Sequence, residues 1–166
     1  MISLSTLKRQ IRRLINRLSS RPPALQTFSY RTPAPDDALK QVTRLCASEN
    51  LRASVQVIQR EFRENLHSHR DTDGLWIVLR GRVSFFGPDD LLLGEFGPME
   101  GIFMPRNCRY RYQSTGEETL EVMQVLSAQG GWGPDRKEHA PRGDSRGTVS
   151  RYDARHLAEA RSETGK

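Results

Sequence analysis

The chain has 166 residues, 36% of them hydrophobic, and no apolar run nears the roughly 20 residues of a membrane-spanning helix, so we expect one soluble domain with polar ends. Its net charge of +6 comes from residues 1–35, which hold seven bases and no acid; the rest holds 19 of the 26 bases and all 20 acids, which argues against a nucleic-acid partner. Two cysteines, Cys46 and Cys108, without a CxxC spacing exclude a disulfide framework and favour a reducing, cytoplasmic location.

Residues 1–20 contain a predicted basic amphipathic helix over residues 3–18. Its apolar residues recur at spacings of three and four, and five basic residues take the opposite face. Three interpretations stay open: docking on the folded domain or on a second subunit, contact with an anionic membrane surface, and a targeting peptide. Membrane contact through residues 1–20 would make the protein peripheral at a membrane.

Residues 21–50 are predicted to hold an extended linker and a short helix. The linker, residues 21–36, contains four prolines. The helix is expected over residues 36–50, because Leu39, Val42 and Leu45 have helical spacing and two aspartates stand near its start, where acids suit the helix dipole.

Residues 51–128 are predicted to form the folded domain, a barrel of short antiparallel strands. Short β-rich runs follow one another with turn signals between them and no helical pattern, which is typical of a sandwich or barrel. The predicted strands lie near residues 53–59, 65–69, 75–79, 82–86, 91–95, 101–104, 109–113 and 119–126.

Residues 129–166 are predicted to be a flexible tail. Glycine, proline and charged residues dominate residues 129–150, which is a composition too polar to pack. A short helix is expected over residues 151–161.

The triplet His67-Ser68-His69 is the pattern most indicative of chemistry. Alternate residues of a strand face the same way, so the two imidazoles would converge on one point. That geometry suits a divalent metal ion or a polar ligand.

In this setting the sequence resembles the cupin superfamily, in particular single-domain RmlC-like jelly rolls with degenerate metal-binding motifs. His67, His69 and Gly81 have the spacing of the first cupin motif, with an apolar strand at residues 75–79 between them. Residues 102–107 match the beginning of the second motif. The resemblance covers residues 50–127 and implies an all-β, double-stranded β-helix (jelly-roll) barrel with a pocket at its mouth.

Two of the usual cupin metal ligands are replaced. Gly74 occupies the position of the first motif's Glu, and Tyr110 occupies the position of the second motif's His. His67, His69 and, after a shift of the turn by one residue, Asp73 remain as candidate ligands for Zn, Mn or Fe. Two imidazoles alone bind such ions poorly, so we expect no tightly bound metal cofactor.

The expected pocket combines aromatic and hydrogen-bonding side chains. Strand parity places Trp76, Tyr110 and Tyr112 inside the barrel with the histidines. Flat apolar walls with a few directional polar groups suit sugars and similar polar ring compounds. Arg70 and Arg106 lie in adjacent loops, as candidates for an anionic ligand group.

Two classes of function follow. The first is a small-molecule-binding cupin, linked to glycan metabolism only by analogy. The second is an enzyme, either a metal-dependent dioxygenase or isomerase using His67 and His69, or a metal-free catalyst resembling sugar epimerases, with a histidine as base and Tyr110 as acid. The resemblance also implies a homodimer.

Overall fold

The computed structural model describes residues 25–129, 131–139 and 149–154, and the predicted helix at residues 3–18 lies outside them. The described residues form eleven strands and a short 3-10 turn at Pro88–Asp90. The strands are β1 (Lys40–Ala47), β2 (Leu51–Ile58), β3 (His67–His69), β4 (Thr72–Arg80), β5 (Val83–Phe86), β6 (Leu92–Phe96), β7 (Gly101–Met104), β8 (Arg111–Ser114), β9 (Leu120–Ala128), β10 (Arg136–Glu138) and β11 (Val149–Asp153). The predicted all-β fold class is confirmed. No helix among these residues has the length and apolar character needed to cross a membrane.

The strands form two layers. One is a six-stranded sheet in the order β11-β1-β2-β9-β4-β7, in which only the pairing of β1 with β11 is parallel. The other joins the sheet β6-β5-β8 to the pair β10-β3, because His67 and Tyr110 exchange backbone hydrogen bonds of 3.0 and 2.9 Å. This junction brings β3 next to β8 and thereby assembles the site.

The main core contains apolar side chains from both layers, as the alternation of buried and exposed residues along β4 and β8 requires. Its buried members are Ile58, Phe62, Trp76, Val78, Val83, Phe85, Met104, Tyr110, Tyr112, Leu120 and Val122. Removal of this surface from water is the main force that holds the layers together.

A second apolar cluster, formed by Leu45, Ala53, Val55 and Ala154, includes side chains of β1 and β2. The described part of the predicted linker, residues 25–36, has no regular secondary structure, and its Tyr30 packs against this cluster.

Two glycines are required by close approaches of the backbone. Gly81 follows β4 with φ of +78°, and a Cβ there would lie 3.1 Å from the Thr119 carbonyl oxygen. At Gly101 a Cβ would overlap the Trp76 carbonyl, so β7 can pair closely with β4 only without a side chain at this position.

Strand β1 replaces the helix predicted over residues 36–50. Gln41, Thr43 and Leu45 are buried at alternate positions, and β1 pairs with β2 on one side and β11 on the other. The spacing of Leu39, Val42 and Leu45 suggested a helix, but the tertiary pairing outweighs that weak local preference.

The predicted flexible tail contains two strands in its described part. β10 pairs with β3, and β11 pairs with β1, where the expected helix over residues 151–161 would begin. The rest of that expected helix, residues 155–161, lies outside the described residues.

Candidate functional site

Strand β3 brings together the two histidines that the sequence singles out. His67 and His69 line one cavity, with perpendicular rings whose centroids are 5.3 Å apart. The strand is fixed by β10 on one side and by Tyr110 on the other. Both imidazoles are therefore held by backbone pairing and not by a loop.

Hydrogen bonds at Nδ1 set the orientation of both rings. The Nδ1–H of His67 donates to the Asn65 carbonyl oxygen at 2.7 Å, and that of His69 donates to Asp135 Oδ1 at 3.1 Å. Because Nδ1 carries the proton in each case, Nε2 is the nitrogen left with a lone pair. The cavity thus has two potential acceptors, one per ring.

His67 is neutral at physiological pH. It is 2% exposed. Burial, with the nearby positive charge of Arg136, lowers the pKa of its imidazole to about 4. Its Nε2 can therefore accept a hydrogen bond over the whole neutral range.

Aromatic side chains wall the cavity, as predicted for Trp76, Tyr110 and Tyr112. The ring centroid of Tyr110 lies 4.5 Å from that of His67, and the rings of Trp76 and Tyr112 are 4.9 Å apart. Burial raises the pKa of both tyrosine hydroxyls well above its ordinary value. Both hydroxyls therefore stay protonated.

Trp76 has a buried donor at the cavity. Its side chain is 2% exposed, and its indole Nε1–H has no acceptor in hydrogen-bonding geometry, although the Tyr110 hydroxyl lies near it. An unpaired buried donor is costly, and the Tyr110 hydroxyl beside it is the nearest group that can relieve that cost.

A polar network crosses the cavity from Arg136 to Tyr112. Glu64 Oε1 accepts from Arg136 Nη2 at 2.6 Å, and Glu64 Oε2 lies 3.4 Å from Lys40 Nζ. Lys40 donates to the Tyr112 hydroxyl at 2.6 Å, and that hydroxyl donates to Gln56 at 3.1 Å. Gln56 in turn donates to Gln124.

The charges of this network are mutually compensated. Burial raises the pKa of Glu64, but Lys40 and Arg136 outweigh it and hold that pKa at about 2. Burial lowers the pKa of Lys40, which the Glu64 carboxylate opposes. Glu64 is therefore a carboxylate under all ordinary conditions.

Three residues predicted to serve the site lie away from the cavity. Asp73 alternates with the cavity-side residues of β4, and its carboxylate is held by Arg106 Nη2 at 2.7 Å. Arg70 pairs with Asp71 and lines a separate hollow together with Gln129 and residues 131–135. The predicted roles of Asp73 as a metal ligand and of Arg70 and Arg106 as ligand contacts are thus not supported.

The donor set does not fit the divalent metal that cupins commonly hold. Among the described residues, no group of three histidine, cysteine or acidic side chains is placed to hold an ion. Gly74 provides no ligand, the phenol of Tyr110 stays protonated, and Glu64 is already bound to two cations. A divalent ion at the histidines would also meet the positive charges of Lys40 and Arg136.

The cavity is small. Its volume is about 140 Å³, below the roughly 300–1,000 Å³ typical of sites for drug-sized ligands. It offers room for a single ring or a smaller compound.

Sequence reasoning missed Lys40, Gln56, Glu64, Gln124 and Arg136. A polar residue at an inward position of a predicted strand, as Gln124 is, could have signalled a cavity. Lys40 lies in the predicted helix and Arg136 in the predicted flexible tail, so the sequence pattern did not place either residue at the cavity.

The likeness of this chain to known proteins lies in its structure. No protein-family model and no curated protein matches the sequence. A double-stranded β-helix protein of Klebsiella pneumoniae matches with a TM-score of 0.54 and 11% identity, over 68% of this chain and 87% of that one. An RmlC-like cupin of Methanocaldococcus jannaschii matches with 0.52 and 16%, over 66% and 95%.

A third match is the cupin domain of Schizosaccharomyces pombe Cnp3, with a TM-score of 0.49 and 12% identity. It covers 53% of this chain and 64%, under two thirds, of that chain. At such identities the likeness concerns the fold and not the activity. The strand order, the two layers and the first two of these matches together show that the chain has a double-stranded β-helix fold, like those two proteins.

Proposed function

We propose that the cavity binds a small, neutral, polar ring compound such as a monosaccharide. The observation that carries this proposal is the convergence of unused hydrogen-bonding atoms on one cavity. The Nε2 atoms of His67 and His69 can accept a hydrogen bond, and the protonated hydroxyl of Tyr110 on the same lining can donate one. A hydroxyl group both donates and accepts, so vicinal hydroxyls match this set.

The aromatic wall supports the same ligand class. Trp76 and Tyr112 line the cavity with their ring centroids 4.9 Å apart, and flat apolar side chains beside a few directional polar groups are typical of sites for polar ring compounds. The volume of about 140 Å³ favours one ring over a sugar nucleotide.

A calorimetric titration with a panel of neutral monosaccharides tests the proposal. We expect saturable binding of at least one, and a loss of about tenfold or more in His69→Ala, which removes an acceptor. His139→Ala is the matched control, because His139 bonds to Ser68 and does not line the cavity. Equal loss in both variants, or no binding to the wild type, would reject the proposal.

A second candidate function is metal-free acid–base catalysis, favoured by the pair of His69 with Asp135. The carboxylate fixes the tautomer of His69, which leaves Nε2 free to take a proton from a carbon next to a carbonyl group. Tyr110 lines the same cavity and keeps its proton, so it can act as the acid.

Deuterium exchange into keto sugars in D₂O distinguishes catalysis from binding. Enzyme action predicts exchange that is lost in Asp135→Asn, and product formation that is lost in Tyr110→Phe while exchange persists. Absence of exchange with a sugar that binds would leave binding as the function.

Homodimerisation, a cytoplasmic location and membrane-surface contact through residues 1–20 stay predictions. Deletion of residues 1–20 tests two of them. Release from a membrane fraction would support surface contact, and a halved mass in light scattering would assign the segment to a dimer interface.

A further inference from the structure

We propose that Glu64 sets the charge selectivity of the cavity: its carboxylate occupies an oxyanion site formed by Lys40 and Arg136, and thereby restricts the cavity to neutral ligands. This inference deepens the proposed function and rests on the cavity being a binding site. It assigns to Glu64 a role in specificity that the sequence pattern did not reveal.

The geometry places the carboxylate between the two cations. Arg136 Nη2 lies 2.6 Å from one oxygen of Glu64, and Lys40 Nζ lies 3.4 Å from the other. All three side chains line the cavity. The side chains of Lys40 and Glu64 are 13% and 10% exposed, so water screens their interaction little.

Without that carboxylate, the same two cations would form a receptor for an anion. A guanidinium and an ammonium that face one small cavity are the usual partners of phosphate and carboxylate groups. The other residues on the lining do not add charge of the opposite sign, since His67 is neutral and the tyrosines stay protonated.

With the carboxylate present, an anionic ligand meets both an occupied pair of cations and a buried negative charge. Like charges a few ångströms apart in a poorly solvated site repel strongly. A neutral hydroxylated ligand meets no such penalty and can form hydrogen bonds with His67, His69 and Tyr110 beside the network. The wild-type cavity therefore discriminates against anions.

Titration with inorganic phosphate, followed by calorimetry on the full chain, tests the role of Glu64. We expect Glu64→Gln to bind phosphate about tenfold or more tightly than the wild type. Glu138→Gln is the matched control, because Glu138 also pairs with Arg136, at 2.6 Å from its Nε, but does not line the cavity. This control should bind phosphate no better than the wild type.

Three results would overturn the inference. They are phosphate binding by the wild type as tight as by Glu64→Gln, an equal gain in Glu138→Gln, and no gain in a folded Glu64→Gln. If Glu64→Gln does not fold in chloride, its thermal unfolding is compared in phosphate and chloride at equal ionic strength. The inference then requires phosphate alone to restore folding, and no rescue would contradict it.

Failure of this inference can be told apart from failure of the proposed function. If no neutral sugar binds the wild type, the proposed function fails whatever phosphate does. If sugars bind but Glu64→Gln gains no phosphate affinity, only the role of Glu64 fails.

Discussion

At the scale of single residues, His67 links the site to the stability of the fold. Burial lowers its pKa from 6.5 to about 4, so the unfolded chain takes up a proton first as the pH falls. The stabilisation is fully present above pH 6.5 and is lost as the pH falls toward 4. We expect the free energy of unfolding to decrease by about 3 kcal/mol across this range because of His67.

Chemical denaturation of the wild type and of His67→Asn between pH 7 and pH 4 measures this contribution. The asparagine amide can still donate to the Asn65 carbonyl, but it does not titrate. The difference in unfolding free energy between the two proteins should change with pH by the stated amount. A constant difference would show that His67 titrates alike in the folded and unfolded chain.

Thr43 gives a second prediction at this scale. Its hydroxyl is buried in β1 and has no hydrogen-bond partner. Thr43→Val keeps the shape and removes the unpaired group, so we expect it to raise the free energy of unfolding by about 1 kcal/mol. Thr32→Val should instead lower it by a similar amount, since Thr32 donates to Glu121 at 2.7 Å. Urea denaturation measures the free energy of unfolding of both variants. A change of the same sign and size in the two would contradict the prediction.

The sequence allowed part of the site to be predicted residue by residue. The period of two places His67, His69, Trp76, Tyr110 and Tyr112 on inward positions, and the structure brings all five to one cavity. The same period explains why Asp73 does not lie with them: it is one residue away from Gly74 in β4, so its side chain points to the opposite face of the sheet. Glu64 stands in the loop before β3, where no period applies.

At the scale of secondary structure, β10 completes the site although it has only three residues. It carries Arg136 to the cavity, and Asp135, just before it, orients His69. The stretch of sequence in which it lies, residues 129–150, is rich in glycine, proline and charged residues, a composition that predicts a mobile segment. Its place is determined by pairing with β3, a contact between distant residues that no local pattern reports.

Lys137→Pro tests the importance of β10. Lys137 pairs with Ser68, and proline at this position removes a backbone donor from the ladder. We expect faster hydrogen exchange of the Arg70 amide, which donates to the Asp135 carbonyl at 3.1 Å, with unchanged exchange in β9. Lys137→Ala, which keeps the donor, should behave as the wild type. Unchanged exchange at Arg70 in the proline variant would show that β10 is held without its ladder.

Strand β1 shows that a helical spacing of apolar residues can occur in a segment that forms a strand. Leu39, Val42 and Leu45 have helical spacing, but three apolar residues in a short segment can fall at that spacing by chance. In the structure this segment is a strand paired with β2 and β11, and its Gln41 and Thr43 side chains are buried. Only its pairing with β2 and β11 makes this segment a strand and not a helix. β11 lies in the predicted flexible tail, so the sequence did not indicate this partner.

At the scale of the whole molecule, the central barrel was the most predictable part. Each of the eight strands expected between residues 53 and 126 has a counterpart among β2 to β9. Turn residues and alternation are local signals, so these strands can be read from the sequence. The layers close around an aromatic core in which Phe85 contacts Trp76, Tyr110 and Tyr112, and the cavity is the space that this core leaves beside β3.

The central claim is that a neutral ring compound binds beside Trp76. The chain has two tryptophans, so Trp132→Phe leaves Trp76 as the sole indole reporter. We would titrate this variant with neutral monosaccharides and record tryptophan fluorescence. The account predicts a saturable change with at least one sugar and none in Trp76→Phe, which retains Trp132. No saturable change with any sugar, or the same change in Trp76→Phe, would contradict it.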